Sequence, residues 1–141
     1  MFSAKIKVSE LAQRIDPEHH NPVLLAMKRK VEDAFPTSTF RKECLRMNSG
    51  PFGSSLLSSS YVSKEEGVLF VRPQDCKDLI VNEDNNNVYI SFEDNERLSS
   101  SKFGSGSIII TKIGNGIGDM AVIPSHLDVC NISGNAMGAV L

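Results

Sequence analysis

The spacing of hydrophobic positions changes partway along this chain. After Asn21-Pro22, the apolar residues Leu24, Met27, Val31 and Phe35 recur at helical intervals, while Lys28, Arg29 and Lys30 turn mostly away. Asn is a favoured N-cap and Pro suits the first helical position, so a helix is predicted to start there, and Pro36 ends it. Ser9 is placed to cap a short helix through Arg14, and a weaker amphipathic stretch with Phe40, Cys44 and Leu45 apolar follows Pro36. From about residue 49 the pattern is that of strands and turns. Residues 67–71 (GVLFV) form an apolar run stopped by Pro73. Residues 88–91 (VYIS) follow the turn-forming run Asp84-Asn85-Asn86-Asn87. Residues 107–113 (SIIITKI) hold a β-branched run interrupted by Lys112; Gly114-Asn115-Gly116 turns the chain, and 119–123 (DMAVI) returns to Pro124, predicting a β-hairpin. Residues 137–141 (MGAVL) open another apolar segment, and the Ser/Gly-rich stretches 48–60 and 99–107 are predicted loops. The segregation of helices and strands predicts an α+β fold. Residues 1–48 are its helical part and 49–141 its β-rich part.

Length and composition narrow this picture. With 141 residues, 40% of them apolar and 23% charged, the chain has the size and balance of a single globular domain. No apolar run approaches the roughly 18–20 residues of a membrane helix, and the N-terminus lacks the apolar core of a secretory signal, so a cytoplasmic location is expected. Cys44, Cys76 and Cys130 are odd in number and widely spaced, which predicts reduced thiols. Net charge is −2, divided unevenly. Residues 1–48 carry nine Lys/Arg against six Asp/Glu, for +3, and residues 49–141 carry six against eleven, for −5. That balance argues against a protein that holds nucleic acid by bulk charge.

Little in the chain points to catalysis. The Ile113–Gly118 run (IGNGIG) leads into a second strand, whereas a dinucleotide fingerprint needs a helix after its glycines, and the glycine spacing also differs. His19 and His20 are adjacent, with no third ligand at metal spacing, and His126 stands alone. Glu65-Glu66 and Glu83-Asp84 are expected on a solvated face. No nucleophile elbow or phosphate loop occurs. No catalytic residue, metal or cofactor is therefore assigned. Loops rich in Ser, Asn and Gly with isolated Arg and Lys suit recognition instead, since such side chains can read base edges.

Four segments, taken in order, carry a resemblance. They are Arg14-Ile15-Asp16-Pro17-Glu18; SGPFGSSL at 49–56 with Tyr61 beyond; GVLFVRPQD at 67–75 with Tyr89-Ile90-Ser91 beyond; and SGSIIITKIGNGIGDMAVIP at 105–124 followed by Asn131-Ile132-Ser133-Gly134-Asn135. Their succession resembles the target recognition domain of type I restriction-modification specificity subunits, a domain also fused to N6-adenine methyltransferases in single-chain enzymes. The departures are His19 and His20 where aromatics are usual, Gly106-Ser107 in place of Gly-Asp, and an end at Leu141 in mid-strand, so a truncated domain is expected.

The resemblance implies N-terminal helices packed on a curved, mostly antiparallel β-sheet. It also implies a non-catalytic prokaryotic module that reads double-stranded DNA and directs adenine methylation and cleavage by partner methyltransferase and restriction/translocase subunits. Of the expected DNA contacts, Lys112 and Asn115 flank the hairpin turn and Arg72 ends its strand. Ser54 and Ser55 lie in the SGPFGSSL loop, and Lys102 is an expected phosphate contact. Arg72 and Lys112 have a second reading as structural ion pairs. Gly50, Gly53, Gly114, Gly116 and Gly118 read as turn-formers, and Phe52 and Tyr61 as packing residues. Two alternatives stay open: a protein-interaction module that self-associates through an unfinished C-terminal strand edge, and a recognition domain cut from a fused methyltransferase-endonuclease.

Overall fold

The computed structural model describes residues 20–51 and 53–141. The helix expected over 9–14, the motif at 14–18, His19 and Phe52 lie outside the described residues. The chain divides into two units, Met1–Thr39 and Phe40–Leu141.

In the first unit, helix α1 spans Pro22–Ala34. It begins as its sequence predicts. The Asn21 carboxamide accepts from the Val23 N–H at 3.0 Å and Pro22 occupies the first turn. Phe35 leaves in extended conformation while its N–H still donates to Val31. No residue of α1 is buried, and Leu24, Met27 and Val31 are all exposed.

In the second unit the change to strand comes sooner than the pattern predicts. Helix α2 is only Phe40–Glu43, and Arg46–Ser49 is already strand β1. The remaining strands are β2 (Tyr61–Val62), β3 (Gly67–Val71), β4 (Cys76–Lys77), β5 (Ile80–Val81), β6 (Tyr89–Ser91), β7 (Lys102–Gly104), β8 (Ile108–Thr111), β9 (Met120–Val122), β10 (Val129–Ile132) and β11 (Ala136–Val140), with helix α3 at Phe92–Arg97. They form two sheets rather than the one expected. Six strands run in the order β1-β11-β8-β9-β5-β4 and five in the order β2-β6-β3-β10-β7. Most neighbours are antiparallel, but β5 pairs with β9 and β3 with β10 in parallel, so both sheets are mixed. The architecture is α+β with few helices.

Side-chain alternation explains the layering. Leu69 and Val71 of β3, with Cys130 and Ile132 of β10 and Phe103 of β7, enter one core together with Ile109, Ala121 and Ala136 of the larger sheet. Phe70 points the other way and packs with Ile90 and Leu98, next to α3. The smaller sheet is therefore buried on both faces. Asn131, between Cys130 and Ile132, lies on the α3 side with no exposed surface. It accepts from the Ser101 hydroxyl at 2.7 Å and donates to the Asn95 carboxamide at 3.0 Å and the Leu98 carbonyl at 3.2 Å. These polar residues hid β10 and β7 in the sequence, because a buried, fully bonded Asn or Ser looks like a loop residue.

The C-terminal strand β11 lies between β1 and β8 and is paired along both sides. The open edge expected there is closed, so it cannot carry self-association. Among the described residues, no helix is long and apolar enough to cross a membrane.

Candidate functional site

The hairpin forms as predicted, with a longer loop. Ile108, Ile109 and Ile110 of β8 face Val122, Ala121 and Met120 of β9. Residues 112–119 connect them. The Gly118 N–H donates to the Thr111 carbonyl, and the Thr111 N–H to the Asp119 carbonyl, both at 2.9 Å. Gly114 and Gly118 have φ of +117° and +94°, conformations that exclude most side chains. Lys112 and Ile113 both donate their N–H to the Asn135 carbonyl, at 2.9 and 3.2 Å, which ties this loop to the turn after β10.

That turn is a meeting point. The Ser133 N–H donates to the Val71 carbonyl at 2.9 Å, beside Arg72, and the Gly50 N–H donates to Ala136 at 3.1 Å. Gly50 proves to be a close-approach position rather than a turn-former: a Cβ there would lie 2.0 Å from the Ser133 carbonyl oxygen. Segments 49–56, 67–75, 105–124 and 131–135, far apart in sequence, thus converge at one end of the unit.

Between the last three lies a cleft of about 680 Å³, lined by Arg72, Gln74, Lys77, Asn115, Asp119 and Asn135 among others. Arg72 and Asn115, both selected from sequence, share it. Lys112 lines an adjoining depression of about 290 Å³ with Ser49, Gly50 and Asn135. Of the other three candidates, Ser55 and Lys102 lie apart from the cleft lining. The Ser55 carbonyl accepts from Arg97 at 2.9 Å. Ser54 sits in the turn Gly53–Ser55, its side chain outside the described part. Lys102, on the edge strand β7, is only 21% exposed and its ammonium is bound by Glu96. Sequence reasoning overlooked Gln74 and Asn135, although both stand inside the quoted motifs, and nothing in the pattern marked Lys77.

The cations of the cleft are engaged. The Arg72 Nε and Nη2 donate to the Asp75 carboxylate at 3.1 Å each, its backbone N–H donates to the same carboxylate at 2.8 Å, and Nη2 also reaches the Asn86 carbonyl at 2.5 Å. The structural ion-pair reading of Arg72 therefore holds, and only Nη1 is without a partner among the described residues. Lys77 pairs with Asp84 at 3.6 Å. Lys112 forms no ion pair among the described residues.

Glu83 is exposed, as expected of a solvated face, and is paired there. It accepts from Lys64 at 3.1 Å and meets His126 Nε2 at 2.9 Å. Burial pushes its carboxyl up, but the hydrogen bonds from Lys64 and His126 outweigh this and hold it below the usual value, while the Glu83 hydrogen bond raises Lys64. Burial pushes the Cys76 thiol up to about 11 and the Cys130 thiol up to about 12. Among the described residues no cluster of His, Cys, Asp and Glu could hold a metal ion. Compared with known protein families and with curated proteins, the chain matches none.

Proposed function

We propose that this chain is a non-catalytic module for sequence-specific DNA recognition, of the target-recognition type found in restriction-modification specificity subunits. The observation that carries the reading is the meeting of two motif segments, 67–75 and 105–124 with its sequel 131–135, around one cleft, with a third, 49–56, lining the depression beside it. Arg72 and Asn115 line the cleft, and Lys112, without an ion pair among the described residues, lies beside it. An exposed Asn on a glycine turn can present its carboxamide to an adenine edge, and Lys112 can reach a guanine edge or a phosphate. In this reading partner methyltransferase and restriction/translocase subunits, or fused domains of a longer chain, supply the adenine methylation and cleavage. Because most cleft cations are already paired, few phosphates are neutralised, and log affinity falls by only about 1–3 per tenfold rise in salt.

Electrophoretic shift with randomised duplexes at low salt tests this. Enrichment of one sequence class supports the proposal; folded protein that enriches none overturns it. A second reading, a protein-interaction surface of the same fold, is favoured by the −5 charge of residues 49–141 and by the exposure of Ile113, Ile117, Met120 and Val122 along the hairpin. Failed enrichment together with loss of partner-protein binding in Ile117→Asp would establish it.

A further inference from the structure

The cleft has a chemistry of its own, independent of how the hairpin meets a partner. Its volume of about 680 Å³ falls within the range of about 300–1,000 Å³ typical of small-ligand sites. Three residues with carboxamide side chains line it: Gln74 from the turn after β3, Asn115 from the hairpin loop and Asn135 from the turn after β10. All three residues are exposed, and none of these side chains makes a hydrogen bond within the described residues. Each therefore offers unused donors and acceptors at once. Asp119 adds an exposed carboxylate acceptor, whose side chain lies over Gly116, where a Cβ would come within 2.3 Å of Asp119 Oδ2. Tyr61 contributes an aromatic ring, itself steadied by Phe70 at a centroid distance of 6.0 Å.

This combination selects among ligands. A phosphate or carboxylate would meet Asp119 and find Arg72 and Lys77 already bound to Asp75 and Asp84. An apolar ligand would bury the carboxamides unpaired, at a penalty. What suits the cleft is an uncharged planar ring with alternating donors and acceptors on its edge, a face to stack on Tyr61, and an amino group for Asp119.

We propose that the cleft is a binding site for a single nucleobase with its pairing edge exposed. The amino-bearing bases, adenine, cytosine and guanine, are preferred over thymine because Asp119 can only accept, and thymine's one pairing-edge donor, N3–H, is flanked by two carbonyl oxygens that repel a carboxylate. The base is either one unstacked from a duplex or that of a free nucleoside. The inference does not depend on the DNA-recognition proposal, since a free nucleoside would occupy the same groups.

Two arms on the full chain separate the sources. In the first, the four deoxynucleosides are titrated by calorimetry, in parallel with a capped dipeptide amide that offers peptide donors and acceptors. In the second, enriched duplexes carry 2-aminopurine at one position at a time. Saturable binding of deoxyadenosine, deoxycytidine or deoxyguanosine supports the proposal with a free ligand. A several-fold fluorescence rise at one duplex position supports it with a base drawn from DNA. In either arm Gln74→Ala and Asn135→Ala are each expected to weaken the signal about tenfold, the loss that follows from one good hydrogen bond. Flat fluorescence at every position together with no nucleoside binding overturns the proposal, and so does tighter binding of the dipeptide than of any nucleoside. A duplex bound tightly without a fluorescence rise and without nucleoside binding overturns this site while leaving the DNA-recognition reading intact.

Discussion

Arg72 is both a candidate DNA contact and a structural brace, and its removal distinguishes the two roles by magnitude. Its partner Asp75 is buried, with 4% of its side chain exposed, against 21% for Arg72. Deleting the guanidinium in Arg72→Ala leaves the Asp75 carboxylate with the backbone N–H of residue 72 as its remaining donor from this clip. Stranding one member of a buried pair costs about 3–5 kcal/mol, and the partial exposure of Arg72 puts the expected value near about 3 kcal/mol. Asp75→Ala costs less, about 1.5–2 kcal/mol, because the freed guanidinium can turn to water and retain the Asn86 carbonyl. If the pair acts as a unit, the double variant loses about 3 kcal/mol rather than the sum, a coupling of about 2 kcal/mol. Urea unfolding at pH 7 followed by circular dichroism measures all three. Arg72→Ala within about 0.5 kcal/mol of the parent, the size of an ordinary surface change, would refute the brace. The same geometry limits the reading role. With Nε and Nη2 engaged, Arg72 has only Nη1 to offer a base, so its contact is single rather than the bidentate fork usual for guanine.

Other expectations follow from the described contacts. Asn131→Ala strands the Asn95 carboxamide oxygen in the interior, while the Ser101 hydroxyl keeps the Leu98 carbonyl, and is expected to destabilise by about 1–3 kcal/mol, measured by the same urea titration. Thr111 carries a buried hydroxyl with no hydrogen-bond partner among the described residues, so Thr111→Val is expected to be neutral or stabilising, by up to about 1 kcal/mol; a clear loss of stability would show the hydroxyl to be bonded. Because the Glu83 carboxyl is held below its ordinary 4.5, its contribution is complete above that value and is lost as pH falls through the depressed one. Acid unfolding should therefore flatten in that window in Glu83→Gln, and an unchanged acid limb would contradict the contact. With Cys76 and Cys130 buried and their thiols raised to about 11 and 12, only the half-buried Cys44 should react quickly with a thiol reagent at pH 8, the other two becoming available on unfolding.

What could be read from the sequence was local. The Asn21 cap, the glycine turn of the hairpin and the β-branched run of β8 each follow from a few neighbouring residues, and each has its counterpart in the structure. Helix α3 was also legible in principle. Ser91 accepts from the Asp94 N–H at 3.0 Å, with Glu93 and Asp94 in the first turn, a capping pattern overlooked beside the preceding strand. The second sheet was not legible. Its strand β10 carries Asn131, and its edge strand β7 emerges from a Ser-rich stretch whose Ser101 is buried. Both satisfy their polar groups through partners some 30 residues away. For the cleft, Arg72 and Asn115 were marked by residue type and loop position. Their proximity depends on the long-range pairing of Ser133 with Val71 and of Asn135 with the hairpin, which no local pattern contains.

The most direct test of the proposed function is a base-by-base competition on an enriched duplex, comparing the parent chain with Asn115→Ala. The account predicts that the parent loses about 1–3 kcal/mol of binding for a change at any specified base pair. It further predicts that Asn115→Ala abolishes this discrimination at one position while leaving the others and the salt dependence unchanged. A discrimination profile identical in the two proteins would contradict a reading role for the hairpin loop, and a parent chain with no base preference would contradict sequence recognition itself.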